Sequence, residues 1–283
     1  NISQSSITAA IDVLEAELGY DLFLRTPAKG IHPTSAGFET LKLIRSYLDQ
    51  TLHFEADLLS VGGAETGFVK LACYSTAAPS FLPPVLKSIT TRFPNLSLSM
   101  LEGHMEMIIN CLDSGEVDLV FTYERSVDHR HTFHALFAAP PYALIATTDP
   151  LSQQTEVTPA QLATRPMVLL DLPFTRDYFT SLFDGMQGVP TVAHSTRSSE
   201  MVRALVSAGF GFSILNIRPL EYGEGVAENT AYHALPIRPA GTAPIFGIAT
   251  TATVKQPKIV LAFIETCLNL KASPPTTCGR LSL

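Results

Sequence analysis

Long hydrophobic runs are missing from this sequence. No stretch approaches the roughly 18 consecutive apolar residues of a membrane span, and no basic patch with a following apolar core marks an export signal near Asn1. At 46% hydrophobic and 16% charged over 283 residues, the chain can bury a sizeable core. A globular cytoplasmic protein without a membrane partner is expected. Cysteine is scarce. Cys73, Cys111, Cys267 and Cys278 show no C-x-x-C spacing, which sets aside the common zinc and thiol-redox motifs and leaves reduced, mostly buried thiols as the expectation. Basic charge is scarce too: the formal net charge is −7, and residues 1–66 set nine acidic side chains against Arg25, Lys29, Lys42 and Arg45. Such a balance gives no general attraction for polyanions.

Catalytic signatures are equally thin. There is no G-x-S-x-G elbow, no G-x-x-x-x-G-K phosphate loop and no H-E-x-x-H pair. Gly209-Phe210-Gly211 follows a helical stretch instead of leading from a strand into one, so it makes a poor dinucleotide loop. Asp128-His129-Arg130-His131, with His134, has metal-ligand residue types, but no second cluster completes a coordination sphere. A solvated loop is expected there. The sequence reads as a non-enzyme with no metal and no cofactor.

What is present is strong periodicity. Ile7, Ile11, Leu14 and Leu18 recur at steps of four, three and four, so they share one helical face; Ser3 suits the N-cap and Gly19 the stop. Tyr20 to Phe23 and then Arg25-Thr26-Pro27-Ala28-Lys29-Gly30 suit a tight hairpin-like loop. A second helix is expected from Ser35 to about Val61, with Leu41, Ile44, Leu48, Leu52 and Leu59 near heptad spacing. Leu41, Ile44, Leu48 and Leu52 are read as a dimer seam. Gly62 to Gly67 reads as a linker. Beyond it, short apolar runs alternate with helical patterns, the mark of an α/β domain with a largely parallel sheet. Strands are expected at 68–74, 96–101, 117–122, 142–146, 167–170, 191–194, 212–215 and 245–249, and helices at 82–92, 105–114, 175–186, 198–208 and 257–270. Composition leaves one large sheet and two lobes both open. Residues 272–283, rich in Ser, Pro and Thr, read as a disordered tail.

Several linked motifs then occur in order. Ser3-Gln4 opens the first helix, Leu14-Glu15 and Leu18-Gly19 close it, Leu22-Phe23-Leu24-Arg25 leads into the loop, and Thr34-Ser35-Ala36-Gly37 enters the second helix. Further on stand Arg92-Phe93-Pro94-Asn95, Gly115-Glu116-Val117-Asp118-Leu119, Asp149-Pro150-Leu151 and Met201 to Gly211. In these residues, from Asn1 to about Leu270, the chain resembles the LysR-type transcriptional regulators. The resemblance implies a partial winged helix-turn-helix over 1–34, a linker and dimerisation helix over 35–66, and an effector-binding domain over 67–271. That domain would be two α/β lobes resembling periplasmic binding proteins: lobe I at 67–138 and 243–271, lobe II at 139–242, with crossings near 138 and 242. The family's winged unit has two helices before the recognition helix, so the chain, opening on Asn1, is expected to be a fragment.

The implied partners are double-stranded DNA, a small effector and further copies of the chain in a homodimer or homotetramer. Ser3, Gln4, Ser5, Ser6 and Thr8 are the candidates for base edges, and Arg25 and Lys29 for phosphates. Asp12 stands where many members carry a basic residue. Strand ends and helix starts suggest an effector site at Ser75, Thr76 and Thr196, with Phe174 as an apolar wall. The resemblance adds Thr122. Hydroxyls and helix ends suit a carboxylate, and Arg176 and Arg197 lie close by in sequence. The competing reading is a solute-binding protein that serves a transporter, which would share the two lobes but have no use for residues 1–61.

Overall fold

The computed structural model describes residues 3–26, 30–61, 66–186, 188–217, 231–239, 241–253 and 255–272. Lys29, the linker residues 62–65, Cys278 and the expected tail from residue 273 lie outside them, as do the side chains of Gln4 and Leu52.

Helix α1 (Gln4–Leu18) has the expected caps. The Ser3 hydroxyl accepts from the Ser6 amide, and Gly19 at φ 77 ends the helix with its N–H on Glu15 O, the left-handed position that glycine tolerates. Glu15 does more than end the helix. Its Oε1 accepts from the amides of Leu22 (2.7 Å) and Phe23 (3.0 Å), holding the chain that enters the hairpin β1 (Phe23–Thr26) and β2 (Gly30–Pro33). Thr34 then starts α2 (Ser35–Val61): its Oγ1 accepts from the Gly37 amide (2.9 Å) and donates to Asp21 O (2.8 Å). At Gly37 a Cβ would stand 2.0 Å from the Leu22 carbonyl oxygen. The Thr-x-Ala-Gly entry therefore permits close passage of the helix over the turn.

Lobe I is a five-stranded sheet built from β3 (Thr66–Tyr74), β4 (Asn95–Gly103), β5 (Leu119–Tyr123), β6 (His131–Ala138) and β12 (Ile245–Thr251) in the order β4-β3-β5-β12-β6. β4, β3 and β5 are parallel, and β12 runs antiparallel to both of its neighbours, β5 and β6. Helices α3 (Ala78–Arg92), α4 (Met105–Asp113) and α8 (Lys258–Ala272) belong to this lobe. Every residue of β5 is buried, as expected of a strand covered on both faces. Phe81, Phe121, Phe246 and Phe263 interlock beside it, with ring centroids 5.1–6.2 Å apart. Asp118 joins the strands by accepting from Lys70 N at 2.7 Å and giving its own amide to Lys70 O.

Lobe II contains β7 (Tyr142–Ala146) between β10 (Ser213–Leu215) and β11 (Tyr232–Pro236), and the parallel pair β8 (Pro166–Leu170) and β9 (Thr191–Thr196), which a Met167–Phe212 bridge joins to the β10 segment. Its helices are the short α5 (Pro159–Leu162), then α6 (Thr175–Ser181) and α7 (Ser199–Ser207). Asp149 caps a 3-10 turn through Leu151 N and pairs with Arg165. The chain leaves the first sheet after β6 and returns at β12. At these two passages Ala139 N donates to Pro244 O, and the Asn216 amide donates to Ala139 O, both at 2.8 Å.

Four expectations need correction. The sheets are mixed instead of largely parallel. The solvated loop is confined to Asp128, His129 and Arg130, which are exposed as expected; His131 and His134 instead lie in β6, and the His131 ring is buried, with Nε2 3.0 Å from Asp113 and Nδ1 accepting from Asp128 N. Helix α3 begins at Ala78, four residues before Leu82, because Pro79 starts it and Pro83 and Pro84 are accommodated inside. Helix α6 stops at Ser181 where turns take over, with Gly185 at φ 77. Cys73, Cys111 and Cys267 are free and buried. No helix among the described residues is long and apolar enough to cross a membrane.

Candidate functional site

The cavity between the two lobes is formed where strands of both sheets end. Tyr74 and Thr76 come from the end of β3, Tyr123 and Arg125 from the end of β5, Leu170 from β8, Phe174 from the N-cap of α6 and Thr175, Tyr178 and Phe179 from α6 itself, and Ser199 and Arg203 from α7; Leu215 ends β10, and Asn216, Ile217 and Pro244 come from the crossing segments. It is a small cavity of about 50 Å³ that opens to solvent.

One hydrogen bond spans the cavity wall. The Tyr74 hydroxyl, from lobe I, lies 3.0 Å from Thr175 Oγ1, from lobe II, and both residues are buried. Beside it Phe174 adopts φ 64 and ψ −26 at the N-cap of α6, and it is the one non-glycine residue with positive φ among the described residues. That conformation costs a bulky side chain about 1–3 kcal/mol. The ring is nonetheless 52% exposed, so packing does not account for the strain.

Two buried polar atoms lack a hydrogen-bond partner among the described residues: Tyr178 Oη and Arg203 Nε. Both residues line the cavity. Arg203 is 9% exposed and pairs through Nη1 with the exposed Glu200. Arg125 is exposed and makes no ion pair among the described residues. Among the described residues no carboxylate lines the cavity. Burial raises the Tyr74, Tyr123 and Tyr178 phenols above their ordinary value, with Asn216 and Arg125 partly offsetting the rise at Tyr178, so all three keep their protons at neutral pH.

The sequence candidates divide. Thr76 and Phe174 line the cavity. Ser75, Thr122 and Thr196 stand off the lining: Ser75 N donates to Gly103 O, the fully buried Thr122 hydroxyl shares a hydrogen bond with Ser126 (2.7 Å), and Thr196 Oγ1 accepts from Ser198 N. Arg176 turns outward onto Asp171, at 2.7 and 2.9 Å, and holds that carboxyl below the usual range. Arg125 and Arg203 supply the cavity's cations instead, and sequence reasoning missed them together with the tyrosines. The one available signal for Arg203 was its place between Val202 and Val206 on the buried face of α7.

At the other end of the chain, Ser5, Ser6 and Thr8 are exposed on the first turns of α1, where the Ser3 hydroxyl lies 2.8 Å from both Ser5 Oγ and Ser6 Oγ. Arg25 is bound by the Asp12 carboxylate and lies 3.5 Å from Glu15, and Asp12 raises its pKa further. Ile7, Leu18, Leu24 and Phe38 are exposed around this unit. On α2, Leu41, Ile44 and Leu48 are 38%, 39% and 54% exposed, an apolar stripe open to a partner.

Comparison with known proteins follows the same division. A family model described as LysR substrate binding domain matches residues 62–269, and one described as bacterial regulatory helix-turn-helix protein, lysR family, matches residues 1–38. The HTH-type transcriptional regulator CysB of Haemophilus influenzae is 26% identical over 222 residues, which is 75% of this chain and 67% of the relative. The probable HTH-type transcriptional regulator LrrA of Synechococcus elongatus is 27% identical over 268 residues, covering 94% and 87%. Among solved structures, HinK, a LysR family transcriptional regulator from Pseudomonas aeruginosa, aligns over 95% of this chain and 89% of its own, at 27% identity and a TM-score of 0.66.

Proposed function

Because the chain belongs to the LysR family of bacterial transcriptional regulators, we propose that it binds duplex DNA through α1 and the β1–β2 hairpin and is controlled by a small effector held between its lobes. The observation that carries the effector half is the cavity itself: it takes side chains from both sheets and leaves Arg203 Nε and Tyr178 Oη unmatched. A ligand that satisfies groups of both lobes favours one lobe arrangement over others, and differential contact is what shifts a conformational equilibrium. Thr76 and Phe174 contact this effector. Ser75, Thr122 and Thr196 support it from the second layer, through the β3, β5 and α7 ends that they hold.

On the DNA side, Ser3, Gln4, Ser5, Ser6 and Thr8 read base edges, while Arg25 and Lys29 meet phosphates. Leu41, Ile44, Leu48 and Leu52 form the seam between two copies of α2, and the assembly acts in the cytoplasm as a dimer or tetramer. The solute-binding alternative is disfavoured, since a transport protein needs neither the helix-turn-helix matched at residues 1–38 nor α2. No catalytic step is required by this reading.

The test is fluorescence anisotropy of the protein on duplex DNA from the region upstream of its own gene, against a scrambled duplex of equal length. Specific binding is expected at least about 1,000-fold tighter than binding to the scrambled duplex. Equal affinity for both would remove the DNA-binding reading.

A further inference from the structure

The chemistry of the lobe cavity defines the class of molecule that it takes, an inference that rests on the reading of this cavity as the effector site. We propose that the effector is an aromatic monocarboxylate, its flat ring enclosed by the tyrosines and Phe174 and its carboxylate received by Arg203 and the Tyr178 hydroxyl. Three independent features converge on it: two unmatched donors, a charge balance of about one, and an aromatic wall.

The donors come first. A buried guanidinium N–H and a buried phenol O–H without acceptors are costly groups to leave unmatched, and here both residues line one space. Arg203 Nε donates only, and Tyr178, which keeps its proton, can donate as well. Ser199, also on the lining, opens α7; the Ser198 hydroxyl caps the Met201 amide, while the Ser199 and Glu200 amides have no intrahelical acceptor and the dipole favours an anion. Donors gathered in this way call for an acceptor-only group, which a carboxylate is.

Charge sets the number. The lining holds Arg125 and Arg203 and no acid, but Glu200 already pairs with Arg203 from outside. The cavity therefore carries about one uncompensated positive charge, enough for a monoanion and too little for a dianion taken out of water. Shape sets the rest. Tyr74 and Tyr123 meet edge to face at 5.8 Å, and Tyr178 and Phe179 lie tilted at 5.6 Å, an aromatic wall that suits a further ring. Phe174, exposed and strained at the cavity, gains a packing partner when a ring enters.

Calorimetric titration of the protein with benzoate, phenylacetate and 4-hydroxybenzoate, beside phthalate, benzamide, benzylamine and acetate, tests the class. At least one aromatic monocarboxylate is expected to bind, at least tenfold tighter than benzamide, phthalate and acetate, with no binding of benzylamine. Tyr178→Phe, which keeps the ring, should weaken that ligand about 3- to 30-fold and leave its preference over acetate intact. Arg125→Gln, at an exposed position, should weaken it and narrow the gap to benzamide. Three results overturn the proposal: no aromatic monocarboxylate binding up to 10 mM (about the limit of useful affinity), benzamide or phthalate binding as tightly, or an unchanged affinity in Tyr178→Phe. Hydrogen exchange on each complex separates this failure from that of the site. Protection of residues 174–179 by a ligand of another class keeps the cavity as effector site while refuting the ligand class. Binding of any ligand without protection there refutes both.

Discussion

The Tyr74–Thr175 hydrogen bond joins the end of β3 in one lobe to the start of α6 in the other, so it is a direct test of how the lobes are held. Replacing Tyr74 by Phe removes one oxygen and leaves the ring against Tyr123. A hydrogen bond of this kind contributes about 0.5–1.5 kcal/mol net, and a buried hydroxyl left alone costs about 1–3 kcal/mol. At 0.59 kcal/mol per RT, the smaller range shifts the equilibrium between joined and parted lobes roughly 2- to 13-fold. Because Tyr74 is buried and keeps its proton, the effect should hold throughout the neutral pH range. The clean measurement is a double-mutant cycle with Thr175→Val, read by urea unfolding, with amide exchange of residues 174–179 followed in parallel. The single variants should each lose stability, the double variant should lose less than their sum by about 0.5–1.5 kcal/mol, and exchange at α6 should rise by the corresponding factor. A coupling energy within error of zero, with unchanged exchange at α6, would refute the claim that this contact secures the lobes.

Other consequences follow from single side chains. Asp12→Asn removes a negative charge and frees Arg25, so DNA binding should tighten roughly 3- to 10-fold at about 0.1 M salt and the log–log salt slope should steepen by about 0.9, as expected for one more phosphate contact; an unchanged slope would show that Arg25 never reaches the backbone. Gly37→Ala sets a methyl against the Leu22 carbonyl and should cost about 1–3 kcal/mol, read as faster proteolysis of residues 20–38; wild-type resistance would mean that the turn yields freely. Leu48→Asp buries an unpaired charge if α2 packs on another copy, at a cost of several kcal/mol, and should dissociate the assembly in sedimentation velocity. An identical sedimentation coefficient would place the seam elsewhere.

Local signals made the ends and helices of this protein legible. Ser3, Gly19 and Thr34 act within a few residues of their own position, and a cap is a local event. Strands β6 and β11 escaped because the apolar part of each is short, Ala135 to Ala138 in β6 and Ala234-Leu235 in β11. β6 is a sheet edge with three polar residues in its first four positions, and β11 is five residues ending on Pro236. Thr76 and Phe174 were accessible from the rule that ligands sit where strands end and helices begin. The tyrosine wall was not, since a tyrosine ending a buried strand looks the same in sequence whether its hydroxyl meets core, water or ligand. Arg203 was missed for a related reason: arginine on a helix is ordinarily a solvated charge, and only the folded structure, with α7 packed against β7 and β8, shows its Nε buried.

The acidic N-terminal balance, which argued against nucleic acid, takes on a different meaning beside the Asp12–Arg25 pair. A helix-turn-helix that ties up its own cation gives away part of the sequence-independent phosphate attraction that drives non-specific binding. In the proposed readout, what remains on α1 is Gln4 and the hydroxyls of Ser5, Ser6 and Thr8, which need correct base edges at hydrogen-bonding distance to contribute at all. Weak affinity per copy then makes occupancy depend on assembly, because a second half-site in register multiplies the first by an effective concentration. In such a protein, whatever alters the spacing of the copies controls binding more sharply than it would in a strongly basic one. A cavity whose wall is crossed by the hydrogen bond between Tyr74 and Thr175 is a suitable place from which to alter it.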